Sequence, residues 1–228
     1  MSTRAHTFPG MVSLAGPVTV KRDGHAVIAH YGSVATEVAV CVKHAGLVQR
    51  PELAVLELRG PDAWLEHLLT TALGELAPAA RTAVQAGGAW CARPTADRAL
   101  IVAPPATVGR WRRQVQRAIV SGGRVSCSDV AGMSAVSLIG PRAARVLAGA
   151  GVCDGLLPGA TVAGVLAGAP AVVVCEAPDR FLLLVAAGAG GAAWRALGDA
   201  GAPHGLGRAG HDAYDRLSAA SRPALLAV

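Results

Sequence analysis

LAVLELRGPDAWLEHLLTTAL, residues 53–73, decides the fold. Leu56 and Leu58 alternate with Glu57 and Arg59, the period of two that sets apolar side chains on one face of a strand. Gly60 permits a turn. Pro61 suits the first helical position, because its missing N–H would have no partner there. Leu65, Leu68, Leu69 and Ala72 then make one helical stripe. The spacing predicts strand, tight turn, helix. The same grammar returns 80 residues later in SAVSLIGPRAARVL, residues 134–147. Val136 and Leu138 stand for Leu56 and Leu58, Gly140-Pro141 for Gly60-Pro61, and Ala143 for Ala63.

A second echo follows in the same order. DRALIV at 97–102 precedes a helix carrying Trp111, and DRFLLL at 179–184 precedes one carrying Trp194. The offsets, 82 for the Asp-Arg pairs and 83 for the tryptophans, match the first. Four features repeated in one order indicate an internal duplication. The expected class is α+β, two pseudo-symmetric strand–helix halves. Residues 1–24, broken by Pro9, Gly10, Gly16, Pro17 and Gly24, form a flexible or irregular arm; 25–123 form the first half and 124–228 the second. A duplicated fold places a seam between its halves, a frequent location for a pocket.

The apolar fraction of 52% supports a substantial core, and the charged fraction of 16% is low for a surface that meets only water, so part of it is expected to face a partner. A net charge of +6 favours acidic ligands only weakly. No basic patch interleaved with aromatics, zinc-finger spacing or basic zipper occurs, which argues against nucleic acid. Five cysteines without a CxxC, and no secretory leader, favour reduced thiols and a cytoplasmic protein. The apolar runs at 162–175 and 181–187 are too short to span a membrane. The seven histidines show no metal-ligand spacing. His204 and His211 are read as polarity around a glycine-rich loop.

Between these landmarks the reading is coarser. Residues 25–46 fit either a short helix or strands, and Val38, Val40 and Val42 alternate as a strand would. Thr107 is placed as the cap of a helix over 108–119 with Val108, Trp111, Val115 and Ala118 inward. Arg110, Arg112, Arg113 and Arg117 lie on the same helix with no acidic residue among them, either a docking face for an acidic group or a solvated surface. Residues 211–220 read as a last helix with Ala213, Leu217 and Ala220 inward.

With these pieces in place the chain resembles the folate-binding superfamily of the glycine-cleavage T-protein (aminomethyltransferase). The resemblance is carried by HAGL at 44–47, ELRGPDAWLEHLLT at 57–70, DVAGMSAVSLIGPRAARVL at 129–147, WRALGDAG at 194–201 and GLGRAGHDAYDRL at 205–217, and extends over roughly residues 30–222. It implies two related halves around a central folate cavity. The T-protein has a further C-terminal barrel, for which these 228 residues leave no stretch; the shorter form is similar to the gamma subunit of heterotetrameric sarcosine oxidase.

The departures from the family pattern matter as much. Where the family places its catalytic Asp after a pair of glycines, Ala89, Trp90 and Cys91 follow Gly87-Gly88. Its Asn-Ala pair falls on Val102, Ala103 and Pro104, and its Thr-Gly-Glu run on Val174, Cys175 and Glu176. The resemblance therefore implies a folate binder, with Glu176 meeting a pterin through charge-assisted hydrogen bonds and Trp90 stacking on a planar ring. It assigns no catalytic residue and leaves open whether the chain is an enzyme. An active chain would assist tetrahydrofolate-dependent one-carbon transfer. The alternative is a non-catalytic subunit or interaction protein of a larger oxidoreductase.

Overall fold

The computed structural model describes residues 16–119, 124–152, 155–186 and 188–220. Residues 1–15 of the expected arm, and the Gly122-Gly123 break, lie outside the described residues. The described chain opens on a hairpin of β1 (Val18–Arg22) and β2 (His25–His30). Asp23 and Gly24 turn it with φ of 48° and 83°, the left-handed pair that a two-residue hairpin loop requires. Helix α1 (Val34–Lys43) follows, capped by Ser33, whose hydroxyl accepts from the Thr36 N–H. The valine alternation at 38–42 is thus helical, not a strand. Glu37, buried on α1, accepts from the backbone N–H groups of Tyr31 at 2.6 Å and Gly210 at 2.7 Å, fixing the helix between two loops.

A seven-element unit then runs β3 (Ala45–Gln49), β4 (Ala54–Arg59), α2 (Asp62–Leu73), β5 (Thr82–Ala86), β6 (Ala89–Thr95), β7 (Arg98–Ala103) and α3 (Pro105–Ile119). It is answered in the same order by β8 (Ser126–Asp129), β9 (Ser134–Ile139), α4 (Ala143–Gly149), β10 (Thr161–Leu166), β11 (Ala169–Ala177), β12 (Arg180–Val185) and α5 (Gly190–Gly201). Strand β13 (Leu206–Arg208) and helix α6 (His211–Ala220) close the described chain. Helix α3 begins at Pro105, so Thr107 lies within its first turn rather than at its cap.

The two sheets share one order. The first is β5-β6-β7-β4-β8, the second β10-β11-β12-β9-β3-β13. The leading strands are exchanged: β3 pairs with β9 and β8 with β4, so each unit donates its first strand to the other's sheet. This explains the two glycines of the repeated turn. A Cβ on Gly60 would lie 2.7 Å from the Arg124 carbonyl oxygen, on the segment that leads into β8. A Cβ on Gly140 would lie 2.3 Å from the Cys41 carbonyl oxygen and 2.7 Å from that of His44, on the segment that leads into β3. Close approach by the incoming strand, rather than turn geometry alone, excludes a side chain there.

The repeated Asp-Arg pairs serve the same turns. The Gly60 N–H donates to the Asp97 carbonyl, and the Gly140 N–H to that of Asp179.

The sheets pack face to face. Val55, Ala92, Leu100 and Val102 of the first meet Ala135, Val172, Val174, Leu182 and Leu184 of the second. Helices cover the outer faces. Leu65, Leu68 and Leu69 of α2 and Val108, Trp111 and Val115 of α3 close one side. Val146 and Leu147 of α4 and Ala193 and Leu197 of α5 close the other. Each fully buried leucine or valine contributes about 1.5–3 kcal/mol. The six-stranded sheet outruns its partner, and α1 and α6 pack on the surplus inner face around Val48 and Ile139.

Candidate functional site

The chain crosses between the sheets twice, at residues 50–53 from β3 to β4 and at 130–133 from β8 to β9. The sheet hairpins are also bulged at matching places. β6 holds Arg93 and Pro94 opposite Ala99, between the Ala92–Leu100 and Thr95–Arg98 pairs. β11 holds Cys175 and Glu176 opposite Phe181, between the Val174–Leu182 and Ala177–Arg180 pairs. An extra residue in a strand re-aims a side chain away from the regular alternation. At Glu176 it delivers a carboxyl to the seam.

The two residues singled out in the sequence come together there. Trp90, on β6 of one sheet, stands beside Glu176, on β11 of the other, close enough for its indole N–H to favour the ionised carboxyl. Burial pushes the Glu176 carboxyl up, against the opposing pull of the Arg50 and Arg180 guanidiniums and the Trp90 N–H. Both side chains are partly buried.

Arg50 lies on the first crossing. Its Nε donates to Glu52 Oε1 at 2.6 Å and its Nη1 to the Ser137 hydroxyl at 3.0 Å. Its guanidinium carbon stands 4.2 Å from the centre of the Tyr214 ring, and that of Arg180 stands 5.8 Å from the same ring. Arg180 also donates to the Ser218 hydroxyl and the Leu217 carbonyl, both at 3.3 Å.

A second buried carboxylate supports this group. Glu52 is 4% exposed and His211 2%. His211 Nε2 lies 3.1 Å from the Gln49 carbonyl oxygen and 3.3 Å from Glu52 Oε2; facing two acceptors, it carries its proton on that nitrogen. Burial alone would raise the Glu52 carboxyl. The nearby His211 ring and the charge and hydrogen bond of Arg50 outweigh it and hold the group at about 2. His211 is therefore a buried partner at the first position of α6, not loop polarity. The sequence reading missed Arg50, Glu52, Ser137 and Tyr214; the one local signal was a charge on each side of Pro51 between two apolar strands.

The remaining candidates fall elsewhere. Cys91 is fully buried, and burial, partly opposed by the Arg93 charge, pushes its thiol up to about 12, which makes it inert at neutral pH. Trp111 is packed in the core, Trp194 is partly exposed, and Trp64 is 40% exposed. On α3, Arg112 pairs with Asp129, Arg110 donates to Thr107, and Arg117 donates to the Arg113 carbonyl. Among the described residues no group of three His, Cys, Asp or Glu side chains is placed to hold a metal, and no helix is long and apolar enough to cross a membrane.

Two concavities flank α5. One of about 640 Å³ is lined by Gln49, Met133, Ser134 and Trp194 among others. The other, of about 450 Å³, is lined by Trp194, Asp199, Leu206 and Arg208 among others. Neither includes Trp90 or Glu176.

Comparison of the sequence with protein-family models and with curated proteins finds no match. Solved structures do match. The glycine cleavage system aminomethyltransferase T from Bartonella henselae superposes with a TM-score of 0.74 at 20% identity, covering 92% of this chain and 60% of that one. A chain of the heterotetrameric sarcosine oxidase from Corynebacterium sp. U-96 superposes with a TM-score of 0.58 at 20% identity, covering 76% of this chain and 93% of that one. The chain therefore has the fold of these two proteins and spans about three-fifths of the length of the first.

Proposed function

We propose that this chain is a folate-binding protein related to aminomethyltransferase, and that the seam around Glu176 and Trp90 receives the pterin. The observation that carries the reading is the bulge that sets Glu176 out of the regular alternation of β11, beside Trp90 of the opposite sheet and with Arg50 and Arg180 near it. The shared fold supports it as context.

The residues present fit a pterin in kind. The Glu176 carboxyl offers two acceptor oxygens at the seam. That suits a ring edge that presents N–H and amine donors. Trp90 offers an aromatic face. Tetrahydrofolate would supply the acceptor for a one-carbon unit; this chain would bind and orient it, and proximity is the effect such a site adds. No general base is assigned. The position after Gly87-Gly88 holds Ala89, Trp90 and the inert Cys91 thiol, none of them a carboxylate.

Titration with tetrahydrofolate, followed by tryptophan fluorescence, tests the proposal. Saturable change in the micromolar range is expected, and Trp90→Phe should remove most of it. Absence of binding at millimolar concentration would sink the reading.

A second reading has an observation of its own. The match covers nearly the whole of the sarcosine oxidase chain, which belongs to a heterotetramer. On that reading this chain is a non-catalytic subunit of a larger oxidoreductase. Its mark would be recovery from the native cell in a stoichiometric heteromeric complex, with no folate bound by the isolated chain.

A further inference from the structure

We infer that helix α6 is a removable plug, and that the Tyr214 ring occupies the place where a flat ligand would lie against the guanidiniums beside Glu176. The inference rests on the reading of the seam as a ligand site. Both guanidiniums that act on Glu176, those of Arg50 and Arg180, touch this one helix. The Tyr214 ring has the Arg50 guanidinium 4.2 Å away and that of Arg180 5.8 Å away. Arg180 reaches the far turn of the helix through Leu217 and Ser218. Glu52, which orients Arg50, is met by His211 at the helix start. A guanidinium face attracts an aromatic ring because the ring's negative π face meets delocalised positive charge. Tyrosine and a pterin would compete for the same face.

The helix is also lightly held. Of its ten residues only His211 and Ala213 are buried. Outside the cluster it packs through Ala213 and Leu217 on Cys41, Val48 and Ile139, and Arg22 of the hairpin lies 2.6 Å from Asp215 and 3.6 Å from Asp212 on partly exposed side chains. Exposed ion pairs of this kind hold weakly and are screened by salt. An element with little buried apolar surface opens locally at low cost, without global unfolding. A ligand that requires the open form then binds with an affinity reduced by the fraction of open molecules.

The test compares wild type with Tyr214→Ala and Tyr214→Phe, each first shown to be folded by circular dichroism. Two measurements are made on each. One is acrylamide quenching of Trp90, taken as the difference between each protein and its Trp90→Phe counterpart. The other is tetrahydrofolate affinity by calorimetry. Removing the ring should increase Trp90 quenching and tighten folate binding about tenfold, whereas Tyr214→Phe, which keeps the ring, should behave as wild type. Unchanged quenching in Tyr214→Ala overturns the plug whatever folate does. Increased quenching with equal folate affinity in all three proteins overturns it as well, since the ring then guards nothing. Increased quenching with no folate binding in any of them keeps the plug and removes the folate reading, because the niche has opened and refused the ligand.

Discussion

The two bulges occupy the same place in two like-ordered sheets and carry opposite chemistry. In the first sheet the residues are Arg93 and Pro94, both buried. Arg93 is spent on structure: its Nη2 donates to the Asp62 carbonyl and carboxylate and to the Ala96 carbonyl, fastening the start of α2 to β6. In the second sheet the residues are Cys175 and Glu176, and the carboxyl goes to the seam. The crossings repeat the contrast. Residues 50–53 carry Arg50 and Glu52, whereas 130–133 carry Val130, Ala131, Gly132 and Met133 and no charge. A twofold scaffold offers every position twice. Here polar groups gather at one copy, the one beside α6, and the other copy is filled with apolar or structural side chains. Symmetry builds the seam, and its breaking gathers the polar cluster at one side of it.

The largest expected effect breaks the symmetry at the turns. Gly140 has a φ of 118° and would place a Cβ against two backbone carbonyls, whereas Gly60 has no positive φ and meets one. Gly140→Ala should cost about 3–5 kcal/mol, from backbone strain and overpacking together, and Gly60→Ala about 1–3 kcal/mol from overpacking alone. Urea denaturation midpoints measure both. Equal losses would mean that the two incoming strands constrain their turns alike and that the left-handed backbone at Gly140 adds nothing.

The next effect concerns the crossing at 50–53. Glu52 has a folded value of about 2, below the ordinary 4.5. Its contribution is therefore fully present above about pH 4.5 and is lost as pH falls toward 2. Glu52→Gln should cost up to about 3 kcal/mol at pH 7 and much less at pH 3, so the variant's stability declines less steeply in acid. Denaturation midpoints followed from pH 7 to pH 3 decide it. Parallel curves for wild type and variant would show that the ion pair with Arg50 does not set the acid limb.

Much of this scaffold was legible in the chain. Residues 53–73 and 134–147 combine a strand period, a Gly-Pro turn and a helical stripe, and each signal is local, so β4–α2 and β9–α4 could be read directly. The α1 segment stayed open between helix and strand because Val38, Val40 and Val42 alternate like a strand, while the sign of a helix was one capping serine. Strand exchange left no local trace. Pairing of β3 with β9 is decided by which sheet edge lies near, and the only sequence mark was a glycine at each turn. The site was half legible. Trp90 and Glu176 entered through departures from a family pattern. Arg50, Glu52, His211 and Tyr214 are brought together from residues 50–52 and 211–214, and no spacing along the chain announces a buried ion pair.

The smallest effect sharpens the contrast between the two buried carboxyls. Glu176 is shifted up where Glu52 is shifted down, since burial outweighs its neighbours. A group whose folded value lies above its unfolded one adds stability below the unfolded value and loses it as pH rises through the folded one. Glu176 therefore weighs against folding at neutral pH. Glu176→Gln, which cannot ionise and keeps an oxygen for the Trp90 N–H, should raise stability at pH 7 by less than about 1 kcal/mol and change nothing at pH 4. The same substitution should weaken tetrahydrofolate binding, because the amide presents a different pattern of donors and acceptors to the ring edge. Opposite signs in the two measurements would mark a residue held at a cost to the fold, which Pro94, its counterpart in the other sheet, has no means to be. A loss in both would make Glu176 a structural tie between the sheets.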